Sequence, residues 1–384
     1  MRNLIVRQRF LIIAVLVVGL GLIAAQCGAQ PAEPQVIERV VTQEVQVVVT
    51  KEVEVEKIVT KEVEVEKIVT QEVEVEVEVP ADIAVVRINM GYIPDPQYAP
   101  FYVGVEKGYF AEEGIQIVTD YSTEVDGIEL LAAGEADFAT GSGDLLLQAR
   151  SQGLPIVYVL RWYNGIPAAI FSLKEAGIDS PEDLKGKTVG IPGFFGINYK
   201  SWLAFLEANG LTSDDVTLEA IGFAQVASVS EGQVDAAVGY SNNEPVQMMV
   251  QGMDVNVIEL APYNNFVPIG IMTTETMIAE RPEVVQGFVR AFLRSVKATL
   301  DDPDYALDAV VRAVQFSGGD ARPITQATLS KAMEFWTPVD GKFGYYDAET
   351  FEWSQEFLLA AGEMDTEIDV SQAFTNEFVE NAQP

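Results

Sequence analysis

The sequence contains no histidine, and its only cysteine is Cys27. These absences exclude Ser/His/Asp triads, Cys/His dyads, zinc fingers and disulfides within the chain. No EF-hand-like loop of alternating Asp residues is visible either. Metal binding by carboxylates alone stays open, but we expect no bound metal, no cofactor and no catalytic residues.

Positive charge is also scarce. The 384 residues include 24 Lys and Arg against 58 Asp and Glu, which gives a formal net charge of -34. Such a surface repels polyanions, so nucleic acid is not an expected partner. The length suits roughly two domains, and a hydrophobic content of 48% is enough for a packed core.

The N-terminus reads as an export signal. Arg2, Arg7 and Arg9 precede an apolar run over residues 10–25, which is short for a membrane-spanning helix of ~20 residues. Cys27 follows this run and resembles the acylated cysteine of a bacterial lipobox, although that motif usually has Gly, Ala or Ser where this chain has Gln26. An uncleaved signal anchor is the alternative to a lipoprotein, and both place the protein at the extracytoplasmic face of the membrane.

Residues 28–84 form a low-complexity segment. The sequence TKEVEVEKIV at residues 50–59 recurs unchanged at 60–69, and a degenerate copy follows. Alternating Val and Glu supplies too few large apolar groups for a core, so we interpret the segment as an acidic tether. Oligomerisation through a coiled coil is the alternative, but a sustained apolar heptad is missing.

From residue 85 onward, short β-branched runs alternate with helical segments, first over 85–162 and again over 185–260. This order predicts an α/β protein with two lobes of mainly parallel sheets. Segments 167–177 and 266–275 look like two crossings between the lobes, and the ligand cleft is expected at the carboxyl ends of the strands.

The expected division of the chain follows from these features. Five parts are predicted: a signal peptide with its cysteine (1–27), a tether (28–84), the first part of lobe 1 (85–176), lobe 2 (177–265), and a return crossing with C-terminal helices of lobe 1 (266–384).

Three stretches carry a family resemblance: GYIPDPQYAPFYVGVEKGYFAEEGI, GEADFATGSGDLLLQARSQGLPIVYV and SPEDLKGKTVGIPG. They resemble the periplasmic binding proteins that serve thiamine-pyrimidine, sulfonate and related ABC importers, over residues 87–314. The resemblance implies a type II bilobal fold, a ligand in the cleft, and a permease with its ATPase as partners. Within that family, VDAAVGYSNNEPVQMM at 234–249 resembles the riboflavin-binding lipoproteins.

The same fold occurs in a eukaryotic pyrimidine synthase for thiamine. That enzyme relies on a histidine and a cysteine-rich motif, and this sequence has no histidine and one cysteine. We therefore expect a binding protein, with an enzyme acting on a related vitamin precursor as a minor alternative. A surface or sensor module that binds no ligand is a further alternative.

Candidate ligand contacts lie where predicted strands end. Tyr98 and Phe101 follow the first strand, Trp162 and Tyr163 close a later strand, and aromatic rings can stack on a flat ligand or simply pack in the core. Ser142 begins a helix whose free N-H groups can hold a polar ligand group, or it is only an N-cap.

Two loops of the second unit complete the prediction. The turn IPGFFGINY combines glycines with aromatic rings, and the stretch YSNNE supplies amide groups suited to a pyrimidine-like edge or to ribityl hydroxyls. The predicted ligand contacts are Tyr98, Phe101, Ser142, Asp144, Trp162, Tyr163, Phe194, Phe195, Asn198, Tyr199, Tyr240, Asn242, Asn243 and Glu244.

No Arg cluster accompanies these segments, although a sulfonate or phosphate receptor would profit from one. A largely neutral heteroaromatic ligand is therefore expected, with riboflavin as the first choice. A thiamine pyrimidine precursor and a sulfonate-type solute stay open as alternatives. The protein is expected to act as a monomer.

Overall fold

In this computed structural model, the described residues are 36–51, 63–78, 83–339 and 341–383. The chain divides into two compact units, Met1–Ala81 and Asp82–Pro384. The predicted signal peptide and Cys27 lie outside the described residues.

The first unit contains two long antiparallel strands, β1 (Val36–Lys51) and β2 (Val63–Glu78). Val36 is opposite Glu78, and Lys51 is opposite Val63. Both strands come from the Val/Glu-rich segment, whose period of two suits an extended chain. Over these two ranges the backbone is therefore extended, whereas a coiled coil would require helices.

The strands of the second unit belong to two sheets and are short. They are β3 (Ala84–Asn89), β4 (Ile115–Asp120), β5 (Phe138–Gly141), β6 (Ile156–Arg161), β7 (Ala168–Leu173), β8 (Thr188–Ile191), β9 (Thr217–Ala220), β10 (Ala236–Tyr240), β11 (Val255–Glu259) and β12 (Gly270–Thr274).

The helices pack around these sheets. They are α1 (Ala99–Glu106), α2 (Tyr109–Glu112), α3 (Glu124–Ala133), α4 (Gly143–Ser151), α5 (Gly196–Ala208), α6 (Gln225–Ser230), α7 (Glu244–Val250), α8 (Glu275–Glu280), α9 (Pro282–Asp301), α10 (Pro303–Ala313), α11 (Arg322–Met333), α12 (Ala348–Ala360) and α13 (Glu377–Glu380). Among the described helices, none is both long and apolar enough to cross a membrane.

Each sheet defines one lobe. Lobe 1 is built on the order β4-β3-β5-β12-β6, and lobe 2 on the order β11-β7-β10-β8-β9. The predicted α/β fold of two lobes joined by two crossings is confirmed. The sheets are mixed rather than mainly parallel, because β12 runs antiparallel to β5 and β6, and β7 runs antiparallel to β10 and β11.

The two antiparallel strands are the ones that arrive from the other lobe. Segment 167–177, expected to be a crossing, forms β7 inside the sheet of lobe 2, so the chain changes lobes between β6 and β7. The return takes place between β11 and β12, within the predicted segment 266–275. β7 lies between β11 and β10, and β12 lies between β5 and β6. Each of these two strands runs antiparallel to both of its neighbours.

The core of lobe 1 is aromatic and lies under α9. Phe288 of that helix stacks on Phe138 of β5 with ring centroids 4.1 Å apart, and Phe292 contacts Phe101 at 4.6 Å. Burial of each such ring stabilises the fold by roughly 1.5 to 3 kcal/mol. This lobe therefore provides a rigid base for the residues that its strands carry toward lobe 2.

Helix α12 packs against both lobes. Phe351 and Leu358 belong to a core cluster with α4 of lobe 1, while Trp353 and Phe357 pack edge-to-face against Phe266 in the core of lobe 2. The C-terminal part of the chain thus connects the lobes in addition to the two crossings.

Candidate ligand cavity

A cavity lies between the two lobes. Lobe 1 contributes Gly91, Tyr92, Gln97 and Glu124 to its wall. Lobe 2 contributes a larger set: Pro192, Phe195, Gly196, Ile197, Asn198, Phe223, Gln225, Tyr240, Asn243 and Glu244.

A second pocket adjoins this cavity, and we call it the deep pocket because most of its wall residues are buried. The two share Gln97, Glu124 and Tyr240 in their walls. The remaining wall of the deep pocket consists of Met90, Tyr98, Thr140, Trp162, Tyr163 and Ile269.

The wall residues occupy equivalent places in the fold. Tyr92 follows β3, Glu124 follows β4, and Phe223 follows β9 at the carboxyl ends of these strands. Residues 192 and 195–198 follow β8, and residues 243–244 follow β10, in the same way. Loops at the carboxyl ends of parallel strands converge on one edge of each sheet, and here the two edges face each other.

The floor of the deep pocket is aromatic. The ring of Trp162 lies 5.8 Å from that of Tyr98 and 5.4 Å from that of Tyr163, and all three side chains are buried. Trp162 also contacts Phe101 at 5.6 Å and so continues into the core of lobe 1. Packing against one another and against the core of lobe 1 fixes these rings in place before any ligand arrives.

A buried amide joins the lobes. The Oε1 atom of Gln97 accepts hydrogen bonds from Nδ2 of Asn242 at 3.0 Å and from the hydroxyl of Tyr163 at 3.3 Å. Gln97 belongs to lobe 1, Asn242 to lobe 2, and Tyr163 to the crossing between them. One oxygen atom therefore connects three parts of the molecule beside the cavity.

Glu244 is the acidic residue that lobe 2 contributes to the cavity wall. Its Oε2 accepts a hydrogen bond from the backbone N-H of Tyr240 at 2.8 Å, and its Oε1 accepts one from Gln225 at 3.2 Å. Burial raises the pKa of Glu244 to about 7. Nearby, burial raises the pKa of Asp95 to about 6.

Glu124 is the acidic residue that lobe 1 contributes to the walls of both the cavity and the deep pocket. Its Oε2 accepts a hydrogen bond from the Ser142 hydroxyl at 2.8 Å. Burial, reinforced by the neighbouring Asp144 carboxylate, raises the pKa of Glu124 to about 8. Gly196 of lobe 2 has φ +65, and a Cβ atom there would stand 3.2 Å from this same oxygen, so a side chain at 196 would crowd Glu124.

Two rings meet at the mouth of the cavity. Tyr92 of lobe 1 and Phe223 of lobe 2 pack edge-to-face with centroids 4.7 Å apart, although Phe223 is 40% exposed. This contact closes the cleft above the wall residues. The lobes therefore touch at two places in this conformation. One is the ring contact at the mouth of the cavity, and the other is the hydrogen bond between Gln97 and Asn242.

Eight of the fourteen predicted contacts line one of the two spaces. They are Tyr98, Trp162, Tyr163, Phe195, Asn198, Tyr240, Asn243 and Glu244. Two more lie directly behind the wall, since Ser142 hydrogen-bonds Glu124 and Asn242 hydrogen-bonds Gln97.

The structure places the other four predicted residues elsewhere. Phe101 is 1% exposed and packs in the core of lobe 1, and Asp144 is fully buried in α4. Phe194 and Tyr199 pack against each other, ring centroids 5.7 Å apart, at a groove on the outside of α5. Phe195 is extended, with φ -150 and ψ 166, and successive side chains of extended backbone point in opposite directions.

Several wall residues were missed by the sequence reasoning: Tyr92, Gln97, Glu124, Phe223 and Gln225. Each follows the carboxyl end of a strand that the sequence does predict. A search of the loops after β4 and β9, on the same rule used for the other loops, would have found Glu124 and Phe223.

The described residues contain no group of three or more side chains able to hold a metal ion. The walls of both spaces consist of aromatic, aliphatic, amide and carboxyl groups, and no Lys or Arg appears in them. Such a surface can stack on a flat ring and exchange hydrogen bonds with its polar edge.

Comparison with known sequences gives consistent matches. The family model described as NMT1/THI5 like matches residues 95–306. The riboflavin-binding protein RibY of Chloroflexus aurantiacus is 41% identical over 77% of this chain and 86% of its own length. The formylaminopyrimidine-binding protein of Halalkalibacterium halodurans is 29% identical over 77% of this chain and 90% of its own length.

More distant matches include an enzyme and a transport protein. The 4-amino-5-hydroxymethyl-2-methylpyrimidine phosphate synthase of Legionella pneumophila is 22% identical over 77% of this chain and 92% of its own length. The alkanesulfonate-binding protein SsuA of Xanthomonas axonopodis, solved with MOPS bound, superposes with a TM-score of 0.61 at 16% identity, over 77% of this chain and 99% of that one. The latter likeness establishes the periplasmic-binding-protein fold.

Proposed function

Because this chain belongs to the NMT1/THI5-like family, we propose that it is the substrate-binding protein of an ABC importer. The observation that carries the proposal is the cavity between the lobes, to which both lobes contribute wall residues. A ligand held there contacts both lobes at once, so its binding favours the closed form. Closure then presents one defined surface to the permease.

We further propose that the ligand is riboflavin. Support comes from the 41% identity to a riboflavin-binding protein and from the chemistry of the wall. The rings of Tyr92, Phe195 and Tyr240 can stack on the isoalloxazine system. The amides of Asn198, Asn243 and Gln225 can exchange hydrogen bonds with the ribityl hydroxyls and with the polar ring edge.

A thiamine pyrimidine precursor is the second candidate. The 29% identity to a formylaminopyrimidine-binding protein supports it, and the same rings and amides suit a smaller heteroaromatic ring. A sulfonate is less well matched, since no Lys or Arg in the wall can pair with an anionic head group.

Binding without chemical change is proposed, although relatives of lower identity carry the name of a synthase. The chain has no histidine, and its one cysteine is Cys27, far from the cavity residues in the sequence. The wall therefore offers carboxyl and hydroxyl groups but neither imidazole nor thiol. Incubation with pyrimidine precursors, followed by mass spectrometry of the products, would reveal any turnover.

For the setting of the protein we propose export, an anchor at Cys27 and action as a monomer at the extracytoplasmic face of the membrane. A permease and its ATPase are the proposed partners. Labelling with a radioactive fatty acid tests the anchor, because Cys27→Ser should abolish incorporation.

Flavin fluorescence tests the ligand. Titration of riboflavin with micromolar protein should quench its emission by ring stacking. Phe195→Ala should weaken binding about tenfold, as expected for a lost stacking contact of ~1 to 1.5 kcal/mol. Phe194→Ala is the matched control, because Phe194 is 55% exposed and lies outside the cavity.

Unchanged emission at micromolar protein would remove riboflavin. Native mass spectrometry of protein purified from its own host would then identify a co-purified ligand directly. A mass corresponding to a pyrimidine would support the second candidate.

A further inference from the structure

The charged side chains in the cavity wall are all acidic. Glu124 comes from lobe 1 and Glu244 from lobe 2, while the wall contains no Lys or Arg. Tyr240 lines the cavity with them, and burial together with the fields of Glu124 and Glu244 raises the pKa of its hydroxyl well above the ordinary value. The tyrosine therefore adds no charge, so two carboxyl groups determine the electrostatics of the site.

The buried ammonium group of Lys200 is already paired with an acidic side chain. Lys200 of α5 is 1% exposed and forms an ion pair with Glu363, which follows α12. It also faces Asp144, whose buried carboxylate has no hydrogen-bond partner among the described residues. Lys200 does not line the cavity and has two acidic neighbours, so it is not available to a ligand.

The carboxyl group of Glu124 also lies near the N-terminus of helix α5, where an anion would otherwise find N-H donors. Helix α5 begins at Gly196 with no side chain capping its N-terminus, and Gly196, Ile197 and Asn198 face the cavity. Free N-H groups at such an end attract anions. However, Oε2 of Glu124 lies 3.2 Å from the position that a Cβ atom at Gly196 would take, so a carboxyl group of the protein stands close to this end of the helix.

Building on the proposed function, we propose that Glu124 and Glu244 act as a charge filter that admits riboflavin and excludes its phosphate ester, flavin mononucleotide. A phosphate group in this cavity would lose its water and gain no cation in return, and desolvation of an unpaired charge is costly. The ribityl hydroxyls of riboflavin can instead donate hydrogen bonds to the same carboxyl oxygens.

The filter should become stricter at higher pH. Burial raises the pKa of Glu244 to about 7 and that of Glu124 to about 8, so both carboxyl groups become anionic as pH rises through this range. The neighbours of Glu124 include Asp144, Ser142 and Gly196. None of these residues is cationic, so none offsets its negative charge.

Glu244 has equally uncharged or acidic neighbours. It hydrogen-bonds Gln225 and the backbone of Tyr240, and it feels the charge of Asp95. Repulsion of a phosphate should therefore grow with the ionisation of both groups, whereas affinity for uncharged riboflavin should change much less.

The experiment compares the two flavins by isothermal titration calorimetry at pH 6, 7.5 and 9 with the full-length protein. The variants are Glu124→Gln and Glu244→Gln, singly and together. Glu129→Gln is the matched control, because it removes one charge from an exposed position of the same helix α3. We expect flavin mononucleotide to bind at least about tenfold more weakly than riboflavin at pH 7.5, since each unmatched charge contact costs on the order of a tenfold factor.

The double variant should reduce this ratio by about fivefold or more, and Glu129→Gln should leave it unchanged. Equal affinity for the two flavins in the unmodified protein, or a ratio that no variant alters, would overturn the filter and leave the riboflavin proposal standing. Absence of binding by both flavins would remove riboflavin instead. The same variants would then be tested with 4-amino-5-hydroxymethyl-2-methylpyrimidine and its phosphate, and equal or absent binding of this pair would overturn the filter as well.

Discussion

The two lobes contribute different chemistry to one cavity. Lobe 1 supplies the aromatic floor, in which Tyr98 and Trp162 are continuous with the hydrophobic core. Lobe 2 supplies most of the polar wall, in which Asn198, Asn243 and Glu244 lie at the N-terminal ends of helices. The floor is fixed by packing, whereas the polar wall is positioned by short loops and individual hydrogen bonds.

This difference has an energetic consequence. A ring that belongs to the core cannot be removed without loss of stability, but a side chain on a loop can be exchanged at small cost. We infer that lobe 1 provides a fixed base for the ligand, whereas the loop residues that can be exchanged to change the choice of ligand belong mainly to lobe 2. Substitutions in each lobe test this difference.

The largest effect is expected for Trp162→Ala. The side chain is buried among Tyr98, Phe101 and Phe292, so its loss should lower the free energy of unfolding by about 3 to 5 kcal/mol. Urea denaturation measures the loss. Phe194→Ala, at an exposed ring of lobe 2, should change the same quantity by less than about 1 kcal/mol. Equal losses in the two variants would contradict the contrast between the lobes.

Lys200→Met should have the next largest effect. The buried ammonium group pairs with Glu363, whose backbone oxygen accepts a hydrogen bond from Gln148 of lobe 1 at 2.7 Å. Removal of one partner of a buried ion pair costs about 3 kcal/mol in the free energy of unfolding, and Asp144 would also lose its nearby cation.

The control for this ion pair is Lys297→Met. Lys297 pairs with Asp301 on the surface, with side-chain exposures of 47% and 61%, so its loss should cost less than about 0.5 kcal/mol. Thermal unfolding of the two variants side by side would show the difference. A Lys200 variant as stable as the Lys297 variant would argue against the buried pair as a connection between the lobes.

A pH dependence of intermediate size is expected from Glu124. Burial raises its pKa from the ordinary value of 4.5 to about 8 in the folded protein, so the folded state holds a proton that the unfolded state has already released. This contribution to stability is complete below pH 4.5 and is lost as pH rises through 8. We expect a loss on the order of 2 kcal/mol, less than the full shift implies because water reaches the carboxyl group through the cavity.

Glu124→Gln should remove this part of the pH profile. The amide keeps an acceptor for the Ser142 hydroxyl and does not titrate in this range. Urea unfolding at several pH values between 4.5 and 9 measures the effect. A variant whose stability declines with pH as steeply as that of the unmodified protein would assign the titration to another group.

The smallest effect is expected for Asn242→Ala. It removes the hydrogen bond to Gln97 that crosses between the lobes, and a single buried hydrogen bond contributes about 1 kcal/mol to stability. Since the bond exists only when the lobes are closed, we also expect about fivefold faster release of a bound ligand, measured by stopped-flow fluorescence. Asn256→Ala is the control, because Asn256 bonds Ile178 within lobe 2 and should leave release unchanged.

Much of the fold follows from the sequence because its signals are local. Runs such as 85–93 and 155–162 predict strands by composition. β6 lies within the second run, and β3 overlaps the first but begins one residue earlier, at Ala84. The same local rule places Trp162, Asn198 and Asn243 at strand ends, where the cavity wall contains them. The direction of β7 and β12 could not be deduced in this way, because it depends on which sheet each strand joins.

The sequence alone determined the order of strands and helices, the absence of imidazole, and the scarcity of positive charge, because these properties are composition or short-range pattern. The folded structure is needed to see that Phe195 faces the cavity while Phe194 faces solvent, and that Glu124 lies beside both Ser142 and Gly196. Residues distant in the chain become neighbours through the packing of two lobes, and no local pattern encodes that contact.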